Sequence, residues 1–373
     1  MFGQLRKGKA NVETAKGVKL KDREVIGEDA VTITQKKAIN FFTSIQAHDG
    51  HWPSDNAGPL YFMPPLNEDG GWGFHIDSHS TMFGSAISYI ALRLLGEGPD
   101  DGEDNAVARG RQWILDHGGA TSIPSWGKFW LSVLGVYKWD GCNPTPPELW
   151  LLPDSLPMHP ELFDDVLIER EHVECTSSVI QAFTLFKEQY PDHRTKEIED
   201  SISRGIQYIE RAQNPDGSWY GFWGICFTYG TWFAVEALLR CNKNYHNSQA
   251  VRKACEFILS KQLPNGGWGE SYLSSSKEVY TNLKGNKSNL VQTSWALLTL
   301  IRAGQWEVDP DPVDRGMRLV INSQLENGDF PPQETTGVFM KNCITEFSSY
   351  RCTFPIWVLS EYRRAQAQRS AIQ

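Results

Sequence analysis

The segment Gln213-Asn-Pro-Asp-Gly-Ser-Trp219 belongs to a phrase that recurs along the chain: Gln, three residues, Gly, one residue and an aromatic residue. The phrase returns as Gln262 to Trp268, as Gln46 to Trp52, and as Gln324 to Phe330, where Phe replaces Trp. A partial copy without the Gln ends at Trp72. Intervals of roughly 50 to 60 residues between the later copies leave room for a helical hairpin, and such periods are typical of stacked supersecondary units.

The composition of the repeat predicts a structural brace between hairpins and no chemistry. Its Gln ends one helix, where the side-chain amide can bond backbone groups left unpaired at that end or at the next helix start. The Gly permits a tight turn, and the aromatic ring can stack over the Gln. The residues expected in this role are Gln46, Trp52, Trp72, Gln213, Trp219, Gln262, Trp268, Gln324 and Phe330.

Between the repeats, apolar residues recur at three- and four-residue steps, and the alternation typical of strands is nearly absent. The sequence therefore predicts an all-α protein whose helical hairpins form an α/α barrel or part of one. The interval from Gly50 to Gly70 is too short for a hairpin, which indicates that a segment has been lost there. Helical patterns cover residues 80–95, with Ser80 as the N-cap, and 104–117, 125–137, 176–188, 195–212, 227–241, 249–262, 289–303, 313–324 and 345–364.

The composition limits the classes of partner. With 14 Trp, 12 Tyr and 18 Phe, the chain either packs its core with aromatic rings or uses ring faces for stacking and for holding cations. A net charge of −9 argues against nucleic acid as a partner. The 7 cysteines are odd in number and include no Cys-x-x-Cys pair, so we expect no disulfide scaffold and no metal site. A reduced, cytosolic setting fits best.

Residues 1–30 carry clustered Lys and Arg without an apolar run, so we expect a poorly ordered N-terminus and no signal peptide. No stretch of eighteen apolar residues occurs, and we expect no transmembrane helix. An exposed apolar patch would still allow the protein to lie on one face of a membrane.

The sequence around the repeats resembles the plant-type 2,3-oxidosqualene cyclases, whose QW motifs have the form of the repeat. The similarity covers nearly the whole chain, from about Val18 to Tyr362. It implies squalene-cyclase-like toroids, with residues 31–160 as a remnant of the inserted α/α-barrel domain and 161–373 as the C-terminal part of the catalytic barrel. The matching segments include Asn67-Glu-Asp-Gly-Gly-Trp-Gly73, Pro147-Glu-Leu-Trp-Leu-Leu-Pro153, Val173-Glu-Cys-Thr-Ser177, Cys226-Phe-Thr-Tyr229 and Asn322-Ser-Gln-Leu-Glu-Asn-Gly-Asp-Phe-Pro331.

The resemblance implies triterpenoid biosynthesis by cyclisation of 2,3-oxidosqualene. In that family an acid protonates the epoxide, rings close in sequence, and aromatic faces stabilise each carbocation, without a metal or a diffusible cofactor. The resemblance also implies a location on the cytosolic face of the endoplasmic reticulum or on lipid droplets, and otherwise the cytoplasm.

Two motifs of the family are missing from this sequence. The acid of these cyclases is the Asp of an Asp-Cys-Thr-Ala-Glu segment, and the sequence contains neither that segment nor a Met-Trp-Cys-Tyr-Cys-Arg stretch. The chain passes from His159-Pro-Glu directly to Phe163, where the family has a long central region. We therefore assign no catalytic residue and expect the chain not to cyclise oxidosqualene.

Four residues match positions that line the family's substrate cavity. Cys175 matches the thiol that hydrogen-bonds the catalytic Asp, while Trp223, Phe339 and Phe347 match aromatic residues that face developing cations. Because the Asp is missing, we favour a buried structural thiol for Cys175. For the three aromatic residues, cavity wall and core packing both stay open.

Two further hypotheses remain. Asp164 and Asp165 could replace the missing acid, and with Glu169 they loosely resemble the magnesium-binding boxes of prenyl-diphosphate enzymes, although one loose acidic box is weak evidence. Alternatively, the chain is a non-catalytic protein at a membrane surface that binds a triterpene-like lipid or pairs with an intact cyclase.

Overall fold

Helices make up nearly all the regular structure of this protein in a computed structural model, as the sequence predicts. In the described part of the chain, two three-residue strands, β1 (Gly337–Phe339) and β2 (Cys343–Thr345), form a small sheet. The structure describes residues 17–52, 66–73, 79–142, 171–339 and 343–372.

In chain order, the helices of these ranges are α1 (Glu28–Ser44), α2 (Met82–Leu94), α3 (Ala106–Asp116), α4 (Ser125–Val133), α5 (Val173–Gln189), α6 (Thr195–Arg211), α7 (Phe227–Arg240), α8 (Gln249–Ser260), α9 (Leu273–Lys277), α10 (Leu290–Ala303), α11 (Asp311–Ser323) and α12 (Tyr350–Ile372). Single 3₁₀ turns span Glu103–Asn105, Ala120–Ser122, Trp139–Gly141 and Gln305–Glu307.

The chain divides into two compact units. The larger unit takes residues up to 55, residues 171–338 and residues from 346 onward, so it contains α1 together with α5 to α12. The smaller unit contains α2, α3 and α4. Although residues 31–160 are predicted as one remnant domain, α1 packs against α11 and α12 of the larger unit.

The larger unit has inner and outer helices. The inner helix α10 buries every residue from Leu290 to Ala303 except Arg302, and α7 is buried over most of its length. The outer helix α6 buries only Ile198 and Ile209, on one stripe. A helix that is buried all round belongs to an interior, whereas a striped helix covers it. This arrangement is that of an α/α toroid, and the predicted fold class is confirmed.

The repeat that begins at Gln213 joins two outer helices. The Gln213 amide donates hydrogen bonds to the carbonyl of Gly217 in its own turn and to that of Ala250 in α8, both at 2.9 Å. The indole N–H of Trp219 donates to the carbonyl of Ile209 in α6 at 2.7 Å. The turn is thus tied to the helix before it and to the helix after it.

The next repeat has the same geometry one hairpin further along. The Gln262 amide donates to the carbonyl of Gly266 at 2.8 Å and to that of Pro312 in α11 at 2.7 Å. The Trp268 indole donates to the carbonyl of Ile258 in α8 at 2.7 Å. The indole thus donates toward the preceding helix, and the expected stacking of the ring over Gln262 stays a prediction.

The first and last repeats differ in burial. Gln324 donates to the carbonyl of Thr34 at 2.9 Å and so links the end of α11 to α1. Phe330, the aromatic residue of this repeat, is fully buried, and its side chain has no N–H group to donate. Gln46 donates to the carbonyl of its own turn, and Trp52 is 39% exposed.

Close approach explains the glycine of the repeat. Gly217 and Gly266 have φ angles of +93° and +88°, in the left-handed region that side chains rarely adopt. A Cβ at Gly217 would lie 2.3 Å from the carbonyl oxygen of Lys253, and one at Gly266 would lie 2.8 Å from that of Arg315. Any side chain would push the turn away from the following helix.

The smaller unit contains the partial repeat. Trp72 is buried, and its backbone N–H donates to the Ser85 hydroxyl in α2 at 2.9 Å. The predicted N-cap of α2 is wrong by one residue: the Thr81 side chain accepts the bond from the backbone N–H of Gly84 at 3.0 Å. Ser80 instead donates to the Asp69 carboxylate, because the preceding turn draws its hydroxyl away from the helix start.

A charged pair lies inside the larger unit. Glu236 of α7 is nearly fully buried and meets Arg302 of α10 at 2.9 Å. Burial raises the pKa of Glu236 to about 7, although the Arg302 charge partly offsets that effect. Folding therefore favours the protonated form of this carboxyl group relative to the unfolded chain.

We expect Gln262→Ala to lower the free energy of unfolding by about 2 to 3 kcal/mol, because it removes two partly buried hydrogen bonds and leaves their carbonyls without this donor. Gln46→Ala, at an exposed repeat, should cost less than about 1 kcal/mol. Urea denaturation of both variants measures the difference. Equal losses would show that the amide does not brace the hairpins.

We expect Glu236→Gln to change how stability depends on pH. The pKa is raised on folding, so the wild type should lose stability relative to the variant as pH rises from about 4.5 to about 7, by roughly 2 to 3 kcal/mol in total, with no further change above that range. Urea denaturation at four pH values between 4.5 and 8 measures the difference. A difference independent of pH would contradict the raised pKa.

Candidate functional site

The first turn of α5 faces residues 221–226, a segment with glycines at 221 and 224 that leads into α7. Glu174, in this turn, is almost fully buried. Its Oε1 accepts hydrogen bonds from the backbone N–H groups of Phe222 at 2.5 Å and Trp223 at 3.1 Å. The carboxyl group thus satisfies two donors of a segment that is not helical.

A second buried carboxyl group holds the other end of the same segment. Glu270, two residues after the Trp268 repeat, accepts the N–H groups of Phe227 at 3.0 Å and Thr228 at 2.9 Å, and also the Thr228 hydroxyl at 2.9 Å. It caps the start of α7, whose first N–H groups have no helical partner. Burial raises the pKa of Glu270, and these bonds oppose the rise.

Trp223 is presented by this segment at the surface of the larger unit. Its carbonyl accepts the N–H of Val338 at 3.3 Å, and the N–H of Ile225 donates to the carbonyl of Thr336 at 2.8 Å, so the segment pairs with the start of β1. The Trp223 side chain is 36% exposed, which is more than core packing requires. Phe339 ends β1, and its side chain lies outside the described part of the structure.

Phe347 lies at the edge of an aromatic cluster. Its ring stacks on that of Tyr350, with centroids 4.7 Å apart. Tyr350 meets Phe354 edge-on at 5.0 Å, and Trp295 of α10 contacts both Phe354 at 5.4 Å and Tyr229 at 5.0 Å. Phe347 is half-buried, so one face packs on the core while part of the ring stays accessible.

Tyr229 of α7 is a buried member of this cluster. Burial raises the pKa of Tyr229, and electrostatic interactions with Glu174, Tyr350 and Cys175 raise it further. This phenol therefore stays neutral at physiological pH. The site combines aromatic rings, a neutral phenol and a carboxyl group engaged by the backbone.

Cys175 is exposed, so the favoured interpretation of a buried structural thiol is wrong. The position follows from its place in the first turn of α5, on the side turned away from the core. Its sulfur lies 3.8 Å from Nε2 of His172, a fully buried histidine whose Nδ1 lies 3.2 Å from Oε2 of Glu174. Neither His172 nor Glu174 is singled out by the sequence patterns, although a histidine three residues before a cysteine at a helix start is a usable signal.

Of the predicted site residues, Trp223 donates its backbone N–H to the Glu174 carboxyl group, Cys175 places its sulfur near His172, and Phe347 lies in the aromatic cluster. The acidic residues Asp164, Asp165 and Glu169 lie outside the described residues. Within the described ranges, no group of three His, Cys, Asp or Glu side chains is arranged to hold a metal ion. In the same ranges, no helix is both long and apolar enough to cross a bilayer.

Comparison with protein families gives two matches that overlap at residues 159–165. The squalene-hopene cyclase N-terminal domain matches residues 60–165, and the squalene-hopene cyclase C-terminal domain matches residues 159–364. The solved structure of the terpene cyclase MstE from Scytonema aligns with a TM-score of 0.45 and 14% identity over 91% of this chain and 99% of that chain, a score that does not by itself establish a shared fold.

Among curated proteins, the chain is similar to alpha-onocerin synthase of Lycopodium clavatum, with 27% identity over 668 aligned positions, 92% of this chain and 87% of that protein. Human lanosterol synthase is 22% identical, over 89% of this chain and 88% of that protein. Lanosterol synthase of Saccharomyces cerevisiae is 44% identical over 205 residues, which are 55% of this chain and 27% of that protein. The match to the C-terminal domain alone covers more than half of this chain. The chain therefore belongs to the family of oxidosqualene and terpene cyclases.

Proposed function

We propose that this chain is an oxidosqualene cyclase by descent that does not start the cyclisation of 2,3-oxidosqualene. The observation that carries the proposal is the missing acid segment: Asp-Cys-Thr-Ala-Glu does not occur in the sequence. The alignment with alpha-onocerin synthase supports it, because that alignment runs over 668 positions whereas this chain has 373 residues. A large part of the alignment therefore lies opposite gaps in this chain.

The chemistry of the first step sets a demanding requirement. Protonating an epoxide needs a carboxylic acid that stays protonated until the substrate binds and that then releases its proton into a dry cavity. The acid must also present its O–H toward the substrate oxygen. A carboxyl group whose two oxygens already accept hydrogen bonds cannot do so without giving one up.

The buried carboxyl groups near the described site do not meet this requirement. Glu174 accepts two backbone N–H groups with one oxygen and faces His172 with the other. Glu270 accepts bonds at both oxygens. Glu236, whose pKa is raised to about 7, lies toward the other end of α7, roughly 14 Å along the helix axis from Phe227, and pairs with Arg302. Each carboxyl group supports the fold.

We expect no new triterpene when this chain is expressed in yeast that lacks its own lanosterol synthase and accumulates 2,3-oxidosqualene. Extracts are analysed by gas chromatography with mass detection, and immunoblotting of the soluble fraction shows that the protein is present. The intact Saccharomyces cerevisiae lanosterol synthase in the same strain is the positive control.

A new peak, absent from the empty-vector strain, would overturn the proposal and would mean that another acid has been recruited. Asp164→Asn and Asp165→Asn would then identify it, since these two residues lie at the junction where the central region is missing. Loss of the peak in one variant alone would assign the proton to that residue.

A second candidate function, binding at a membrane surface, is favoured by the smaller unit. The core of this unit is formed by α2 and α4 through residues such as Ile87 and Leu131. The opposite side of α4 and the turn after it expose large apolar side chains, with Val133 50% and Trp139 58% exposed. This surface is made of Phe129, Val133, Leu134, Val136 and Trp139, and we call it the α4 surface.

The charges around the α4 surface suit a lipid interface. Lys128 lies within α4 and Lys138 follows it, so two basic groups lie beside the apolar side chains, with one carboxylate, Asp140, next to Trp139. Apolar side chains with flanking Lys residues are the features that hold an interfacial helix in the headgroup region. Binding of a triterpene-like lipid and pairing with an intact cyclase are further predictions for a non-catalytic protein.

We expect the wild type to co-sediment with vesicles of phosphatidylcholine and phosphatidylserine. The double variant Val133→Glu with Trp139→Glu should bind these vesicles at least about tenfold more weakly, because two large apolar side chains are lost from the interface. Val179→Glu is the matched control, since Val179 of α5 is also 50% exposed but lies in the larger unit. Equal binding by both variants, or no binding by the wild type, would exclude the α4 surface as the membrane contact.

A further inference from the structure

Three side chains at the start of α5 are arranged as a nucleophile, a base and an orienting acid. The exposed Cys175 sulfur lies 3.8 Å from Nε2 of His172. The other ring nitrogen of His172, Nδ1, lies 3.2 Å from Oε2 of Glu174. A thiol, an imidazole and a carboxylate in this order form the arrangement by which proteins activate a nucleophile.

The histidine ring is fixed from several sides. It is fully buried, its ring packs against that of Phe222 at 5.1 Å, and its Glu174 partner is held by the backbone N–H groups of Phe222 and Trp223. A carboxylate at Nδ1 sets the tautomer and stabilises the imidazolium form. The ring can therefore accept the thiol proton at Nε2 and hold the charge next to the thiolate.

The position of Cys175 in the helix acts in the same direction. It is the third residue of α5, a helix of 17 residues, and the positive end of a helix dipole stabilises a thiolate in the first turn. The buried thiols of the larger unit are in the opposite situation: burial raises the pKa of Cys226, and that of Cys255 to about 12. Cys175 thus has an exposed side chain, a neighbouring histidine and a position in the first turn of a helix.

We propose that Cys175, His172 and Glu174 form a reactive thiol site that takes soft electrophiles of the α,β-unsaturated carbonyl class. The thiol proton passes to Nε2 of His172, and the sulfur attacks the β-carbon of the electrophile. A carbon–sulfur bond forms as the carbon–carbon π bond breaks, and the imidazolium returns the proton to the α-carbon. The addition is balanced without an oxidant or a leaving group.

The surroundings favour an electrophile that carries an apolar or aromatic group. Glu174 also binds the backbone N–H of Trp223, whose side chain is partly exposed. Apolar surface of the ligand would be removed from water against the Trp223 ring. This inference does not depend on the proposal about cyclisation, since it concerns a thiol that the cyclisation step does not consume.

In the part of the chain that the structure describes, titrating groups from several elements surround the site. Glu171 and His172 precede α5, and Glu174 lies in its first turn. The other helices contribute Tyr208 on α6, Tyr229 on α7 and Tyr350 on α12. Burial raises the pKa of each of these three phenols, so they stay neutral between pH 5 and 9. These phenols therefore do not contribute to a change in Cys175 reactivity within this range.

The test is alkylation of the full chain by N-ethylmaleimide between pH 5 and 9, with each cysteine followed separately by peptide mass spectrometry. We expect Cys175 to react at pH 6 at least about tenfold faster than Cys241, whose pKa burial raises, and to show a pH midpoint below about 7.5. Cys175→Ser must remove the rapid adduct. N-benzylmaleimide should react faster than N-ethylmaleimide at Cys175, with a smaller difference at Cys241.

His172→Gln should slow the alkylation of Cys175 at pH 6 by about tenfold and move its pH midpoint toward the ordinary thiol value of about 8.5. Glu174→Gln keeps an oxygen for the Phe222 and Trp223 N–H groups. It should have a smaller effect in the same direction. Urea denaturation confirms that each variant is folded. An unchanged pH midpoint in folded His172→Gln would overturn the proposal. If that variant does not fold, a wild-type midpoint at or above about 8.5 overturns it by itself.

Discussion

The larger unit depends on hydrogen bonds that side chains supply where its outer helices end. The last carbonyl groups of a helix have no partner in their own ladder, and a buried carbonyl without a donor is costly. The Trp219 and Trp268 indoles donate to carbonyls in the last turns of α6 and α8, while the Gln213 and Gln262 amides reach the first turns of α8 and α11. One turn therefore fixes two helices, and the spacing between hairpins follows from it.

The candidate site is a consequence of the same turns. The segment that carries Trp223 follows the Trp219 turn directly, and Glu270 follows the Trp268 turn, so two successive repeats determine where the segment and its cap meet. Glu174 closes the other end. Because these buried carboxyl groups serve the backbone, the site can present aromatic rings and a thiol but holds its acids in structural positions.

Descent and present chemistry can be separated in this chain. The family is shown by matches that span both of its domains, and the proposal that cyclisation has been lost rests on one missing segment, since an activity belongs to a site and not to a fold. In the cyclases that this chain resembles, the thiol that matches Cys175 hydrogen-bonds the catalytic aspartic acid. In this structure its neighbour is His172, and the pairing of a histidine with a thiol supports a different kind of reactivity.

The sequence by itself determined that this chain is helical, how its hairpins are joined and which family it resembles, because helical periodicity, the glycine of a tight turn and the repeated Gln and Trp are local signals. Cys175 and Trp223 could be named as candidate site residues because the motifs around them are contiguous. Only the tertiary structure decided that Cys175 is exposed, that His172 lies between it and Glu174, and that α1 packs with the far end of the chain. The reason is physical: burial and the direction of a side chain depend on which helices pack together, and local periodicity does not encode that choice.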